Sequence, residues 1–239
     1  MFKKKLVLFF LPIFFLYFTQ SLPAKETGIL YGIQIEQFEH AYTDNNGEVL
    51  RWDGEAFVGT DELKFKWFSS GEENTKSGKT EKFENRFMLS KPLSTFFDVK
   101  AGLRFDIPRG EDRAYAVLGF TGLAPQWIEV DTDFFISESN KTSVKIDAEY
   151  ELLITNYLIL TPSLDVKYAF AKDQSINVGT GLNSMELGLR LSYDVIDRTL
   201  SPYLGVAWEK KFGDTSNFAR DEGEETKVLN FVIGTRLMF

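Results

Sequence analysis

The 239-residue chain contains no cysteine and a single histidine, His40. Without cysteine no disulfide can hold the fold, and no thiolate is on hand as a nucleophile or soft metal ligand. One histidine leaves acid–base catalysis a single candidate; Ser69, Ser70 and Ser137 lie in no nucleophile motif that could use it, so no enzyme is expected. Past the first twenty residues no run approaches the ~18 consecutive apolar residues of a membrane-spanning helix, which excludes a helical inner-membrane protein. Positive charge is also scarce, with 27 Lys and Arg against 35 Asp and Glu and a net charge of −8. The bases stand singly between acids, not in a stripe, and nucleic acid is not an expected partner.

What the sequence does contain begins at its two ends. Lys3-Lys4-Lys5 precedes an unbroken apolar run from Leu6 to Phe18 and then Ser21-Leu22-Pro23-Ala24, which reads as a cleaved secretory signal over residues 1–24. The remaining 25–239 suit one all-β domain. At the far end, apolar or small side chains occupy 229, 231, 233, 235, 237 and 239, and the last is Phe239. A period-two strand with a terminal aromatic is the form in which a barrel of the bacterial outer membrane closes on its first strand.

The same period recurs between the ends. Phe97, Val99, Ala101, Leu103 and Phe105 alternate with Asp98, Lys100, Gly102, Arg104 and Asp106, and the segments around 144–154 and 185–194 repeat the pattern. One face is apolar and the other charged, as expected of strands with lipid outside and water inside. Twelve segments can be laid out: 29–42, 49–58, 63–69, 80–89, 96–107, 114–124, 127–137, 143–154, 158–170, 184–194, 201–210 and 227–239. The expected fold is therefore an all-β transmembrane antiparallel β-barrel of about 12 strands, with long outer connections alternating with short inner turns. On the segment 80–89, Asn85 falls in the lipid phase. Trp and Tyr near the strand ends read as aromatic girdles.

Three stretches, YAVLGFTGLAPQWIEVD at 115–131, EYELLITNYLILTP at 149–162 and YLGVAWEKKFGDTSNFAR at 203–220, resemble the copper resistance protein B family, as does WDGEAFVG at 52–59. The matched positions include turns that a generic barrel pattern would not dictate. The resemblance implies a monomeric outer-membrane barrel involved in copper tolerance, acting with a periplasmic multicopper oxidase. Longer members of that family carry a Met- and His-rich arm ahead of the barrel, whereas here Lys25 leads almost directly into the first strand. Copper(I) selects sulfur ligands and copper(II) accepts imidazole and oxygen. With His40, Met88, Met185 and Met238 as the soft or nitrogen donors, no tight cofactor is expected, and copper ions would be transported or weakly bound. The other function class is a general cation-preferring porin or structural barrel without metal specificity.

Carboxylates dominate the inward phase, among them Asp53, Glu55, Asp165, Glu186 and Glu209, and bases answer about half of them. One reading is an ion-pair network filling a narrow barrel; a second is that the surplus charge attracts cations into the lumen. Glu129, Asp131 and Asp133 have no base between them, and Asp147, Glu149 and Glu151 on the next strand could face them. Met88 and Met238 fall on the inward phase near the periplasmic ends of their strands, where they could receive copper(I). His40 reads as a surface residue. The long connection 211–226 is expected to fold over the outer mouth, anchored by Phe212 and Phe218, with Asp214 and Arg220 pairing to lumen charges and narrowing the pore.

Overall fold

A computed structural model describes residues 28–43, 47–76, 78–107 and 112–239; the proposed signal segment 1–24 lies outside the described residues. The strands are β1 (Leu30–Thr43), β2 (Glu48–Gly59), β3 (Lys64–Asn74), β4 (Lys79–Pro92), β5 (Phe97–Asp106) and β6 (Arg113–Ala124). They continue as β7 (Ile128–Ser137), β8 (Thr142–Glu149, resuming at Leu152–Leu153), β9 (Leu158–Ala169), β10 (Gly181–Tyr193), β11 (Leu200–Lys211) and β12 (Lys227–Met238). Each pairs antiparallel with its neighbours in sequence, and β12 pairs with β1 from Gln34↔Met238 to Thr43↔Asn230. The sheet closes into a twelve-stranded barrel with no free edge. Among the described residues no helix is long and apolar enough to cross a membrane.

Alternation sets which wall each side chain occupies. On β5, Ala101, Leu103 and Phe105 are exposed on the outside while Lys100, on the opposite face, is fully buried. On β12, Phe231 and Ile233 stand 55% and 62% exposed, whereas Val232 between them is 1% exposed. Apolar side chains left open on the outer wall while charges are buried within is the reverse of a water-soluble fold, and it is stable where lipid bathes the outside. Asn85 is accommodated on this outer wall because its Oδ1 accepts the Trp67 indole N–H at 3.1 Å, which removes much of the cost of an unpaired amide in lipid.

Four segments differ from the sequence reading. Strand β3 runs to Asn74, not 69, because Trp52 on β2 lies over Gly71 on the outer wall and Glu72 pairs with Arg51 on the inner one. The third connection is thus a short turn, and β10 begins three residues earlier than expected, so the long outer connections are chiefly 170–180 and 212–226. Strand β8 breaks at Tyr150–Glu151. Tyr150 donates its N–H to the Pro162 carbonyl at 3.2 Å, and the reciprocal bond cannot form because proline has no N–H. Finally, connection 212–226 is not structureless, since Gly213–Asp221 forms a helix, α1.

Strand β1 contains a bulge. Ile35 pairs with Gly54 and Gln37 with Asp53, which leaves Glu36 as an extra residue on β1. The outward phase changes there, with Ile33 exposed before the bulge and Phe38 and Tyr42 after it. Glu36 and Gln37 consequently both line the lumen, which is how a bulge re-aims side chains.

Candidate functional site in the lumen

The interior is divided into two chambers. The one toward the short-turn end has a volume of about 440 Å³ and is lined by Glu36, Asp53, Glu129, Asp131, Glu151 and Met238 among others. The one toward the long-loop end is about 230 Å³ and is lined by Arg51, Glu72, Lys82, Asp165, Glu186 and Glu209 among others. Gln37, Asp53, Lys145, Asp147 and Glu149 belong to both linings, so the chambers meet at a waist that is mostly carboxylate.

Register places the acids in an unusual row. Asp131 stands directly opposite Asp147, Asp147 opposite Asp165, Asp165 opposite Glu186, and Glu186 opposite Glu209. Five carboxylates thus follow one another across β7 to β11, at the spacing of adjacent strands, about 4.8 Å per step. Like charges directly opposite one another destabilise a sheet, so the row needs cations. Because barrel strands tilt by roughly 35–45°, such a row climbs the wall as a ramp, from Asp131 in the first chamber through Asp147 at the waist to Glu209 in the second.

Bases attend the ramp unevenly. Lys100, which is fully buried, contacts Asp131 at 2.6 Å and Asp133 at 3.0 Å; Arg86 also pairs with Asp133. To reach across β6, Lys100 and Asp133 pass over Gly119, where any Cβ would collide with both. Lys145 bridges Asp147 and Asp165 at 3.0 and 3.1 Å. Arg51 reaches over from β2 to Glu186 at 3.5 Å and Glu209 at 3.9 Å. The interior is therefore both an ion-pair network and a surface with residual negative charge: Glu36, Asp53 and Glu129 have no ion-pair partner among the described residues.

The expected face-off between β7 and β8 is present in part. Glu129 faces Glu149 and Asp131 faces Asp147, but Asp133 faces Lys145. The base-free run on β7 is answered from β4 and β5 by Arg86 and Lys100. Met88 and Met238 are not brought together. Met88 is 1% exposed in an apolar cluster with Phe68, Val117 and Phe135, while Met238 is 38% exposed on the wall of the first chamber. His40 sits on the outer wall beside Tyr42, with ring centroids 5.6 Å apart. Among the described residues no three of His, Cys, Asp and Glu are grouped as ligands of one ion. What the lumen presents along the ramp is a succession of oxygen pairs.

At the outer rim Asp214 pairs with Lys172 at 3.0 Å and Arg220 with Asn217 at 3.0 Å. Both contacts lie on the surface, and among the described residues neither side chain pairs with a lumen charge. Phe218 packs beneath the Lys172 ammonium and Phe212 beneath that of Lys210. Thr215 accepts the Gly179 N–H at 2.8 Å, so α1 is tied to connection 170–180. In that connection burial raises the Asp173 carboxyl, but the Ser175 hydroxyl, the Arg113 guanidinium and the Ser175 backbone N–H outweigh it and hold Asp173 below the usual range.

Sequence reasoning overlooked Glu36 and Glu39. Both follow from the shift of apolar parity between Ile35 and Phe38, which is visible in the sequence as the mark of a bulge. Glu39 is 1% exposed and accepts bonds from Arg190 at 3.0 and 3.1 Å and from the Tyr203 hydroxyl at 2.9 Å.

A family model described as copper resistance protein B precursor (CopB) matches residues 29–239. Copper resistance protein B of Escherichia coli is 34% identical over 214 residues, covering 90% of this chain and 71% of that protein. A copper resistance protein B homolog of Pseudomonas syringae pv. tomato is 34% identical over 195 residues, covering 82% of this chain and 65% of that one. Among solved structures, the NanC porin superposes with a TM-score of 0.56 at 10% identity, over 86% of this chain and 98% of its own. The KdgM porin gives 0.52 at 13% identity, over 87% and 99%. At such identities the porin likeness is one of fold. The match across all twelve strands assigns the rest: the chain belongs to the copper resistance protein B family, and its place is the bacterial outer membrane.

Proposed function

We propose that the protein supports copper resistance by admitting copper ions to its lumen, where they are bound weakly or passed between the two chambers. The observation that carries this reading is the carboxylate ramp from Asp131 to Glu209, which runs from one chamber through the waist into the other. Low-dielectric walls focus the potential of such charges and raise the local concentration of cations. Oxygen donors suit copper(II) better than copper(I), and paired carboxylates already engaged by bases favour transient contact over storage. Met238, on the wall of the first chamber, is the sulfur donor in the best position to meet copper(I) there; Met88 would have to leave its apolar cluster to join it. Exchange with a periplasmic multicopper oxidase would take place at the same end.

A strain lacking the protein tests the reading. Copper sensitivity should rise and periplasmic copper content should change, with general solute permeability unaffected. If copper sensitivity and content match the parent while solute permeability falls, the barrel is a cation-preferring porin without metal specificity. Replacing Asp131 and Asp147 together with Asn should reproduce the loss of copper tolerance in a folded barrel.

A further inference from the structure

Lys145 stands apart from the other lumen bases by its position. Among the described residues it is the one basic side chain common to both chamber linings, and its ammonium sits almost midway between Asp147 and Asp165, a middle step of the ramp. Asp53, which has no ion-pair partner among the described residues, lines the same waist. Both lysines carry a compact charge on a flexible stem, but Lys100 is fully buried between Asp131 and Asp133, whereas 15% of the Lys145 side chain stays exposed. A cation moving between the chambers along the ramp must reach the oxygens that this ammonium holds.

Resting on the reading that cations enter the lumen, we propose that Lys145 is a tethered competing cation that sets selectivity and flux at the waist. With the ammonium in place, Asp147 and Asp165 share one charge between them, Lys167 stands beside Asp165 at 4.0 Å, and a mobile cation meets the oxygens between the two aspartates only by displacing Lys145. Monovalent ions compete weakly against a covalently held charge. A divalent ion, with twice the charge, competes better, so the waist favours divalent over monovalent cations. Lys145 is a positioning residue: it acts through the two aspartates and touches no substrate itself.

The test uses the full barrel in planar bilayers, with reversal potentials in a potassium chloride gradient and copper(II) chloride as the divalent probe. Lys145→Met should raise the potassium-to-chloride permeability ratio by about tenfold, equivalent to about 1.4 kcal/mol, and copper(II) should then block the potassium current at lower concentration. Lys145→Arg, which keeps the charge, should stay near the parent on both readouts. Heat-modifiable electrophoretic mobility establishes that each variant is folded. Should Lys145→Met fail to fold, Lys145→Met with Asp165→Asn removes one charge of each sign, and a rise in conductance without a change in selectivity is expected. A folded Lys145→Met barrel with the parent's selectivity and copper block overturns the proposal, as does a double variant of unchanged conductance, or the absence of cation current in every protein. Copper tolerance of the strain carrying Lys145→Met judges the copper reading separately: altered selectivity with unaltered tolerance leaves the tethered cation standing and removes copper as its cargo.

Discussion

Arg190 on β10 places Nε and a terminal nitrogen on the two oxygens of Glu39 on β1, at 3.0 and 3.1 Å, and so spans the seam where the last strand meets the first. Tyr203 on β11 completes the cluster through its hydroxyl. Gly188 and Gly234 leave the room it needs, since a Cβ at either would press on Arg190 or on Glu39 and Tyr203. Glu39→Ala would strand a buried guanidinium and a buried hydroxyl. A loss of about 3–5 kcal/mol is expected, read as a fall in the urea midpoint of the barrel in lipid vesicles. A midpoint equal to the parent's would show that the cluster does not hold the seam.

The two inward methionines should separate cleanly in a stability assay. Met88→Ala opens a cavity among Phe68, Val117 and Phe135, with an expected cost of about 2–5 kcal/mol. Met238→Ala, at a half-exposed position on the chamber wall, should leave the unfolding midpoint nearly unchanged. Equal effects of the two substitutions would contradict their different burial.

The lumen should prefer cations. Carboxylates outnumber bases on both chamber walls, and screening reaches about 8 Å at physiological ionic strength. The preference should therefore shrink as salt rises. A reversal potential of anion-selective sign in the parent protein would refute it.

Connection 170–180 should loosen in acid. The Asp173 carboxyl is held below its ordinary value of 3.8 by Ser175 and Arg113, so it protonates more readily in the unfolded chain than in the folded one. The stabilisation is present above the ordinary value and is lost as the pH falls below it through the lowered one. The segment's hydrogen-exchange protection, corrected for the intrinsic pH dependence of amide exchange, should fall over that window, and Asp173→Asn should abolish that fall. Protection that stays constant from neutrality to strong acid would exclude this role.

The outer helix bears on access. Deleting Gly213 to Ala219 removes α1 and its ties to connection 170–180, and a wider channel with greater non-selective uptake is expected. Unchanged conductance in the folded deletion variant would show that α1 does not restrict the mouth.

The barrel class and its strand segments were legible because period-two alternation is a local property: Phe97 to Asp106 declares its two faces without reference to any other strand. Limits that depend on a neighbour were not legible. Strand β3 extends past Gly71 only because Trp52 covers it, and β8 breaks at Tyr150 only because Pro162 lies opposite. The site was legible as a surplus of inward acids but not as a ramp, since register between strands ten to twenty residues apart is set by turn geometry. Likewise, that Lys100 answers Asp131 and Asp133 depends on Gly119 standing between them, which no single segment reveals.

The bulge at Glu36 makes the count of residues in β1 part of its chemistry. Removing one residue between Ile35 and Phe38 would restore an unbroken alternation, and by local pattern alone would look like an improvement. If instead the residue were kept and the strand ran without the bulge, parity downstream would invert: Phe38, His40 and Tyr42 would turn to the water inside, and Glu39 would face hydrocarbon. The seam with β12 would then have to slip by a residue or lose Arg190's partner, so the bulge, by absorbing the surplus residue, keeps the halves of the strand in phase with the rest of the wall.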